Sequence, residues 1–272
     1  MRWRGSSLRA LAEVSEVVAD FTPTRRRTAL VTGASQGLGA AIAIALARDG
    51  FDIAVSSSQR AGLTSTVRDI EAAGARALGI ELDLSKTTDI ERAITEVVDA
   101  LGPLDVLVNN AGITIRKWAL EVKPEEWDAI LDINLKGAFF LTQQMGRHLV
   151  AAGRPGCIVN IASTHGLVAY AQRSVYGISK AALMQMTRML AVEWAGYGIR
   201  VNAVAPGTVN TPSREAHFAA DPGGREAIVS RVPLRRFATM DEVAAAVCYL
   251  VSPGAEYITG HTLILDGGLT AQ

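Results

Sequence analysis

Tyr176 and Lys180 stand four residues apart in the segment "SVYGISK", residues 174–180. If this segment is helical, the two side chains share one face roughly 6 Å apart, because four residues make about one turn. An ammonium at that range favours the phenolate and lowers a tyrosine pKa that is ordinarily about 10. Of the five tyrosines, only Tyr176 has a lysine four residues on. The pair suggests a tyrosine that handles a proton, and two side chains on a solvated helix face are the alternative.

A second candidate for chemistry is the glycine-rich segment "TGASQGLG", residues 32–39, which lies between two apolar runs. Gly33, Gly37 and Gly39 let the backbone turn sharply and approach a ligand closely. A helix that begins here offers free N–H groups and the positive end of its dipole to a pyrophosphate. The segment predicts a dinucleotide site, and an ordinary glycine-rich strand–helix turn is the alternative.

The elements that must position these residues alternate along the chain from residue 28. Apolar runs predict strands at 28–33, 52–57, 75–83, 104–112, 156–163, 199–207 and 261–268. Helices are predicted at 37–49, about 60–73, 87–101, in one long stretch after Pro124, at 174–197 and near 240–252. Apolar strands separated by helices are typical of a parallel sheet covered on both faces. We predict one α/β domain, residues 28–272, with a single doubly wound parallel sheet and helices on both faces.

Two segments fall outside this alternation. Residues 1–27 carry six arginines and three acids and have no uninterrupted apolar core, so we predict a mobile extension and no secretory signal. The polar stretch at about 207–238 contains Pro212, Pro222 and Pro233. A long irregular segment in a compact domain is usually a lid or binding loop, and we predict a substrate lid here.

Composition excludes several classes of function. Lys and Arg total 27, as do Asp and Glu, so the chain offers no electrostatic case for binding nucleic acid. Cys157 and Cys248 lie among apolar residues, which favours buried free thiols in a reducing cytoplasm. The histidines show no ligand spacing, so we predict no metal. The charge-free run at 30–47 is interrupted by glycines and polar residues, which favours a strand–turn–helix over a membrane span.

The motifs together resemble the classical short-chain dehydrogenase/reductase family. Residues 32–39 match its TGxxxGxG loop, "NNAG" at 109–112 follows the fourth strand, and "YGISK" supplies the family's YxxxK pair. Asn134 lies in "INLKG", Ser163 stands thirteen residues before Tyr176, "PGTVNT" spans 206–211, and Asp266-Gly267-Gly268 resembles the C-terminal signature. The resemblance covers about residues 28–268 and implies a Rossmann-type fold. It points equally to 3-oxoacyl-thioester reductases and to sugar-acid or polyol dehydrogenases.

The resemblance implies an NAD(P)-dependent oxidoreductase that transfers a hydride between a nicotinamide cofactor and a carbonyl or secondary alcohol. Tyr176 would be the general acid/base, and Lys180 would stabilise its phenolate and bind the nicotinamide ribose. Ser163 would orient the substrate oxygen, although its hydroxyl could instead cap a turn. Asn134 would distort its helix and hold a water that relays protons. A catalytically silent dinucleotide sensor of the same fold is the alternative, which this complete set of four residues disfavours.

The resemblance also implies which residues bind the cofactor. Besides Tyr176 and Lys180 they are Gly33, Ser35, Gln36, Gly37, Leu38, Gly39, Ser57, Ser58, Arg60, Asp83, Leu84, Asn110, Ala111, Gly112, Pro206, Gly207, Val209 and Thr211. Ser57 occupies the position of the usual ribose-binding acid, and Arg60 follows it. No carboxylate there repels a phosphate, so the sequence favours NADP over NAD. Gln36, where a basic residue is common in NADP-binding relatives, counts for NAD.

The substrate pocket is expected between residues 113–120 and the lid. Four basic side chains there could meet an anionic group of the substrate: Arg116, Lys117, Arg214 and His217. Trp118 and Phe218 could cover an apolar body. Solvated basic loop residues are the alternative, and the sequence does not choose a substrate. The resemblance further implies a homotetramer, with helices at about 124–150 and 174–197 in the interface.

Overall fold

The computed structural model describes residues 25–271, and within this range seven strands form one sheet. The strands are β1 (Arg27–Thr32), β2 (Phe51–Ser57), β3 (Ala77–Glu81), β4 (Val106–Asn109), β5 (Gly156–Ile161), β6 (Ile199–Pro206) and β7 (Thr262–Leu265). Their order across the sheet is β3-β2-β1-β4-β5-β6-β7, and every pairing is parallel. The predicted doubly wound parallel sheet is confirmed.

Helices cover both faces of the sheet. They are α1 (Gly37–Arg48), α2 (Thr64–Ala72), α3 (Thr87–Leu101), α4 (Pro124–Leu131), α5 (Ala138–Ala151), α6 (Ser174–Trp194), α7 (Pro212–Ala220), α8 (Pro222–Val229) and α9 (Met240–Val251). Because strand side chains alternate between faces, Ala29 and Val31 pack with α1 and α9, whereas Leu30 packs with α3 and α5. Within residues 25–271, no helix is both long enough and apolar enough to cross a bilayer.

The predicted N-terminal extension, residues 1–27, lies outside the described residues up to position 24. Arg27 already belongs to β1, one residue before the predicted domain boundary. Arg25 is held to the sheet because its Nη2 donates a hydrogen bond of 2.6 Å to Asp105 Oδ1. The first described strand therefore begins one residue earlier than the apolar pattern indicates.

The segment 207–238 was predicted to be irregular, but it contains the helices α7 and α8. Both helices begin with a proline in the first turn, where the missing backbone N–H would have no partner in any case. Asp221 caps α8 by accepting a hydrogen bond of 2.9 Å from Gly224 N. Phe218, Val229 and Phe237 form a small buried cluster of their own. The prediction failed because it treated these prolines as loop signals when they start helices.

A buried network of polar side chains ties the two central strands to the helices beneath the site. Asn109, at the end of β4, donates hydrogen bonds of 2.8 Å to Thr142 Oγ1 and to Asn160 Oδ1. Asn160 in turn donates to Thr187 Oγ1 at 2.9 Å. These side chains are at most 3% exposed. The network fixes β4 and β5 relative to α5 and α6.

Asn109→Ala should lower the free energy of unfolding by about 2–4 kcal/mol, because two buried acceptors lose their donor. Chemical denaturation with urea measures this change. The control is Asn210→Ala, which removes an amide that donates to Glu215 Oε1 on the surface at 2.6 Å. Its cost should stay within about 0.5 kcal/mol. Equal losses in the two variants would contradict a structural role for the buried network.

Candidate active site

The candidate site lies at the carboxyl edge of the sheet, between β1 and β4. The strand order reverses here, and such a switch point opens a crevice in doubly wound sheets. The turns that follow the two strands are joined, since Asn110 Nδ2 donates to Thr32 O at 2.9 Å and to Gly33 O at 3.0 Å. A Cβ on Gly33 would lie 2.7 Å from Ala111 Cα. Only glycine permits this contact, which forms the floor of the crevice.

The start of α1 is able to bind an anion. Gln36 is its N-cap residue, yet no side chain caps the helix and its first turn contains no acid. Gly37 has a φ of +62°, and apart from its chain neighbours and the backbone of its own helix, no atom of the described residues lies within 4 Å of a Cβ built there. Uncapped N–H groups beside this open space fit the pyrophosphate of a nicotinamide dinucleotide. The predicted residues of this turn are therefore brought together, namely Gly33, Ser35, Gln36, Gly37, Leu38 and Gly39.

The end of β2 adjoins the same turn. A Cβ on Gly62 would lie 3.4 Å from Ser35 Cβ, so the turn after β2 contacts the glycine-rich loop. Ser57 is partly exposed, and Ser58 and Arg60 are exposed. Across residues 25–271, the Arg60 guanidinium has no hydrogen-bond or ion-pair partner. Hydroxyls and a cation are thus available where the adenosine ribose is expected.

Asp83 and Leu84 follow β3 at the same edge. Asp83 Oδ1 accepts hydrogen bonds from Ser85 Oγ at 2.7 Å and from Ser85 N at 3.0 Å. These bonds, aided by Lys86, hold the pKa of Asp83 below its ordinary value. The Leu84 side chain is buried in the core. The Asp83 carboxylate is therefore engaged in its own turn, and its contact with adenine stays a prediction.

Lys180 and Tyr176 share one face of α6, as the spacing predicts. Lys180 Nζ lies 5.8 Å from the centroid of the Tyr176 ring. The lysine is only 3% exposed, and its Nζ donates a hydrogen bond of 2.7 Å to Ile161 O at the end of β5. Burial lowers the pKa of Lys180 to about 8. A buried ammonium held by one carbonyl is costly, which argues against the alternative of a solvated helix face.

The expected effect of Lys180 on the Tyr176 phenol is wrong for this structure. Burial raises the pKa of Tyr176 above its ordinary value. The groups that oppose this increase are the Ser163 hydroxyl and the charges of Arg173 and Arg214, not Lys180. Lys180 Nζ instead donates its hydrogen bond to a backbone carbonyl and lies 5.8 Å from the centroid of the ring. Burial therefore favours the protonated form of the Tyr176 phenol.

Ser163 lies next to Tyr176 and is joined to His165, a residue outside the predicted catalytic set. Ser163 is 6% exposed, and its Oγ accepts a hydrogen bond of 3.2 Å from His165 N. His165 Nδ1 lies 3.2 Å from the same oxygen, and its ring meets the Tyr176 ring edge-on at 5.9 Å. Burial, followed by nearby arginines, lowers the pKa of His165. The sequence could have identified His165 as a site residue, because it stands only two positions after Ser163.

Asn134 lies in a wide π-helical turn, Asp132–Gly137, that separates α4 from α5. The single long helix predicted after Pro124 is thus interrupted, as expected if Asn134 distorts it. Asn134 Oδ1 accepts from Ile113 N at 2.8 Å, and Nδ2 donates to Ile113 O at 2.9 Å. Nδ2 also donates to Ser179 Oγ at 3.0 Å. A Cβ on Gly112 would lie 3.1 Å from Asn134 Oδ1 and 3.5 Å from Lys180 Nζ, so the three residues meet.

The last predicted cofactor residues lie at the end of β6 and the start of the segment 207–238. Pro206 ends β6, and a Cβ on Gly207 would lie 3.1 Å from Asp266 Cα. Val209 is buried and pairs with the segment around residue 238. Thr211 is the N-cap residue of α7. These residues connect the sheet edge to the lid helices.

The basic residues predicted to meet an anion are only partly available. Lys117 is neutralised by Glu126, 2.8 Å away, and Arg116 donates to Gln172 Oε1 at 2.8 Å. His217 is exposed at the lid surface. Arg214 is the member of the set whose charge reaches Tyr176. A carboxylate nine residues away in the sequence pairs with Lys117, and the contact of this lysine with a substrate anion stays a prediction.

The two aromatic side chains predicted to cover the substrate, Trp118 and Phe218, differ in their surroundings. Trp118 is 55% exposed and free to contact a ligand. Phe218 is buried, and its ring lies 5.5 Å from that of Phe237, so it packs within the segment 207–238. As for metals, no three His, Cys, Asp or Glu side chains within residues 25–271 are grouped to hold an ion.

Lys180→Met should raise the free energy of unfolding at pH 7 by about 1–3 kcal/mol. The ammonium has a pKa of about 8 in the folded chain and 10.5 ordinarily, so its protonation disfavours the folded state below pH 8. This cost disappears as the pH rises towards 10.5, and the advantage of the variant should disappear with it. Urea denaturation across this range measures the effect.

The control for this test is Lys136→Met, which removes an exposed lysine 3.0 Å from Asp132. Its effect should be small and without this pH dependence. A Lys180→Met protein that is less stable than the wild type at pH 7 would contradict the buried charge.

Comparison with known proteins identifies the family. A family model described as enoyl-(acyl carrier protein) reductase matches residues 33–270. The chain is 38% identical to 3beta-hydroxysteroid dehydrogenase 1 of Eggerthella lenta, with 92% of this chain and 96% of the relative covered. It is 37% identical to the 3-oxoacyl-[acyl-carrier-protein] reductase of Thermotoga maritima, over 89% and 97% of the two chains. It is 36% identical to an NAD-dependent glycerol dehydrogenase of Listeria innocua, over 93% and 97%.

Solved structures agree with these relatives. A gluconate 5-dehydrogenase from Burkholderia cenocepacia, in complex with NADP and tartrate, is 32% identical with a TM-score of 0.86, over 91% of this chain and 96% of that one. A short-chain type dehydrogenase/reductase from Mycobacterium marinum is 33% identical with a TM-score of 0.83, over 91% and 96%. These relatives favour an enzyme over the catalytically silent alternative. The chain belongs to the short-chain dehydrogenase/reductase family and is an NAD(P)-dependent oxidoreductase acting on CH–OH or C=O groups.

Proposed function

We propose that Tyr176 is the general acid/base of this oxidoreductase and that Ser163, Lys180 and Asn134 complete its catalytic set. The observation that carries the proposal is the buried Lys180 ammonium, one helical turn from Tyr176 and bonded to Ile161 O at 2.7 Å. A lysine with only a structural role is not expected to be buried, because burying its ammonium lowers the free energy of unfolding. Catalytic groups commonly have such perturbed pKa values.

The bound nicotinamide supplies or accepts the hydride, and the protein must orient the reactants and manage one proton. During reduction, the Tyr176 hydroxyl donates its proton to the substrate oxygen as negative charge develops there. Burial suits this role because it keeps the phenol protonated, while the charges of Arg173 and Arg214 ease its ionisation. Ser163 Oγ donates a second hydrogen bond to the same oxygen, and His165 Nδ1, 3.2 Å away, orients that hydroxyl.

The proton is restored through Lys180 and the groups beside it. Lys180 Nζ can return a proton to the phenolate because its pKa is lowered to about 8. Asn134 and Gly112 lie beside this amine, and the second lone pair of Asn134 Oδ1 can hold a water. The same amine is the proposed contact for the nicotinamide ribose.

We propose NADP as the preferred cofactor. Two features support it, namely the absence of a carboxylate in "SSSQR", residues 56–60, and the Arg60 guanidinium that has no partner in the described chain. Arginine and serine hydroxyls suit a phosphate monoester on the adenosine ribose. The relatives use both cofactors, since one structure holds NADP and the glycerol dehydrogenase is NAD-dependent.

We further propose a homotetramer in the cytoplasm, with residues 207–238 as the substrate lid. Apolar side chains on α5 and α6 support the tetramer: Phe139, Phe140, Val150, Met189 and Val192 are between 37% and 82% exposed. Faces of this kind are buried when subunits associate. Cys157 and Cys248 are free thiols, which suits a reducing compartment.

Tyr176→Phe should lower kcat by at least about a hundredfold, because the proton donor is lost while the ring still fills its place. Calorimetric titration should give nearly the wild-type affinity for NADP. The control is Tyr249→Phe on the exposed side of α9, which should retain turnover. Wild-type turnover by the Tyr176 variant would assign the acid to another group.

Arg60→Ala should raise KM for NADP by about 10- to 100-fold, because one charge-assisted contact to the phosphate is lost. KM for NAD should change little, since NAD lacks that phosphate. Arg68→Ala is the control, as Arg68 is exposed on α2 and pairs only loosely with Asp69 at 3.6 Å. An equal effect of Arg60→Ala on both cofactors would contradict the proposed preference.

A further inference from the structure

His165 meets both the Ser163 hydroxyl and the ring of the proposed acid, Tyr176. Its Nδ1 lies 3.2 Å from Ser163 Oγ. Its ring meets the Tyr176 ring edge-on, with 5.9 Å between the centroids and 71° between the planes. The Tyr170 ring meets it in the same way, at 5.5 Å and 86°. The imidazole is thus held by one hydroxyl and two aromatic rings, although the predicted catalytic set does not include it.

The backbone of His165 is fixed against helix α6. It belongs to a single 3-10 turn, Thr164–Gly166, which packs on that helix. A Cβ on Gly177 would lie 2.8 Å from His165 O, and a Cβ on Gly166 would lie 2.7 Å from Ala181 N. The turn and the helix approach this closely because glycines stand at both contacts. Since α6 also carries the proposed acid, the imidazole is held at a fixed place beside it.

The hydrogen bonds of Ser163 decide where its own proton points. A serine hydroxyl has one proton and two lone pairs. The backbone N–H of His165 donates to Ser163 Oγ at 3.2 Å and occupies one lone pair. If Oγ donates to His165 Nδ1, the hydroxyl proton cannot reach a substrate oxygen. If Nδ1 carries a proton and donates to Oγ, both lone pairs are occupied and the hydroxyl proton is left for the substrate.

Resting on the proposed function, in which Ser163 donates to the substrate oxygen, we propose that His165 is a positioning residue that donates from Nδ1 to Ser163 Oγ. This bond leaves the substrate oxygen as the acceptor for the Ser163 proton. The Nδ1–H tautomer and the imidazolium both provide the donor, whereas the Nε2–H tautomer does not. A hydroxyl oriented before the reaction stabilises developing negative charge better than one that must first rotate.

Two substitutions of His165 separate the donor from the ring. His165→Phe keeps a ring and loses Nδ1, so kcat for the reduction of ethyl acetoacetate with NADPH should fall by about 3- to 10-fold. The value of kcat/KM should fall by the same factor, because the bond acts in the transition state. His165→Asn places an amide nitrogen where Nδ1 was and should retain about half or more of the wild-type kcat. An Asn variant as slow as the Phe variant would overturn the inference.

A double-mutant cycle shows whether His165 acts through Ser163. Ser163→Ala alone should lower kcat by about a hundredfold. Adding His165→Phe should then cost nothing further, because the hydroxyl that it positions is gone. An equal cost with and without Ser163 would mean that His165 acts only by packing, which overturns the inference. The control, His261→Phe, changes an exposed histidine just before β7, at the opposite edge of the sheet, and should leave kcat unchanged.

NMR of the full-length protein, labelled with 15N-histidine and loaded with NADP, decides the inference whether or not ethyl acetoacetate is turned over. Spectra at about pH 8, above the ordinary histidine pKa of about 6.5, report the neutral tautomer, and His165→Asn assigns the signals. We expect a protonated Nδ1. A ring protonated only at Nε2 would overturn the inference and leave the oxidoreductase intact. Wild-type kcat in Ser163→Ala would instead overturn the proposed role of Ser163, and this inference with it.

Discussion

The structure depends on one buried ammonium. Lys180 Nζ is almost removed from water, bonded to Ile161 O at the end of β5 and placed over the Tyr176 ring. Burial disfavours its charge, so other interactions of the fold must offset the free-energy cost of this group. A free-energy cost of this kind is expected where a site has to manage a proton beside a cofactor. It is not expected in a helix that serves only for packing.

The rest of the molecule explains how this arrangement is held. The parallel sheet brings the ends of β1, β4 and β5 to one edge, where the glycine-rich turn, "NNAG" and Ile161 meet. Below that edge, Asn109 and Asn160 fix the central strands to α5 and α6. Beside it, Asn134 ties the π-helical turn to Ile113 and Ser179. These polar contacts are buried or partly buried, and together they leave the lysine and tyrosine little freedom to move apart.

The sequence predicts the framework well because its signals are local. Strand runs, the helix at 87–101 and the Tyr176–Lys180 spacing each depend on short-range periodicity. What the sequence could not predict depends on contacts between distant segments. The Tyr176 pKa follows burial and Arg214 in the lid, the π-helical turn requires the bonds of Asn134 to Ile113, and Lys117 is neutralised by Glu126 on α4. The lid helices were missed for a different reason, since proline signals both loops and helix starts.

The central claim is that the Lys180 ammonium is buried in the folded, cofactor-free protein. NMR of protein carrying 13C-labelled lysine follows the Cε signal of each lysine with pH, and the spectrum of a Lys180 variant assigns the signal that matters. The account predicts a titration midpoint for Lys180 of about 8. A midpoint near the ordinary lysine value of about 10.4 would contradict it.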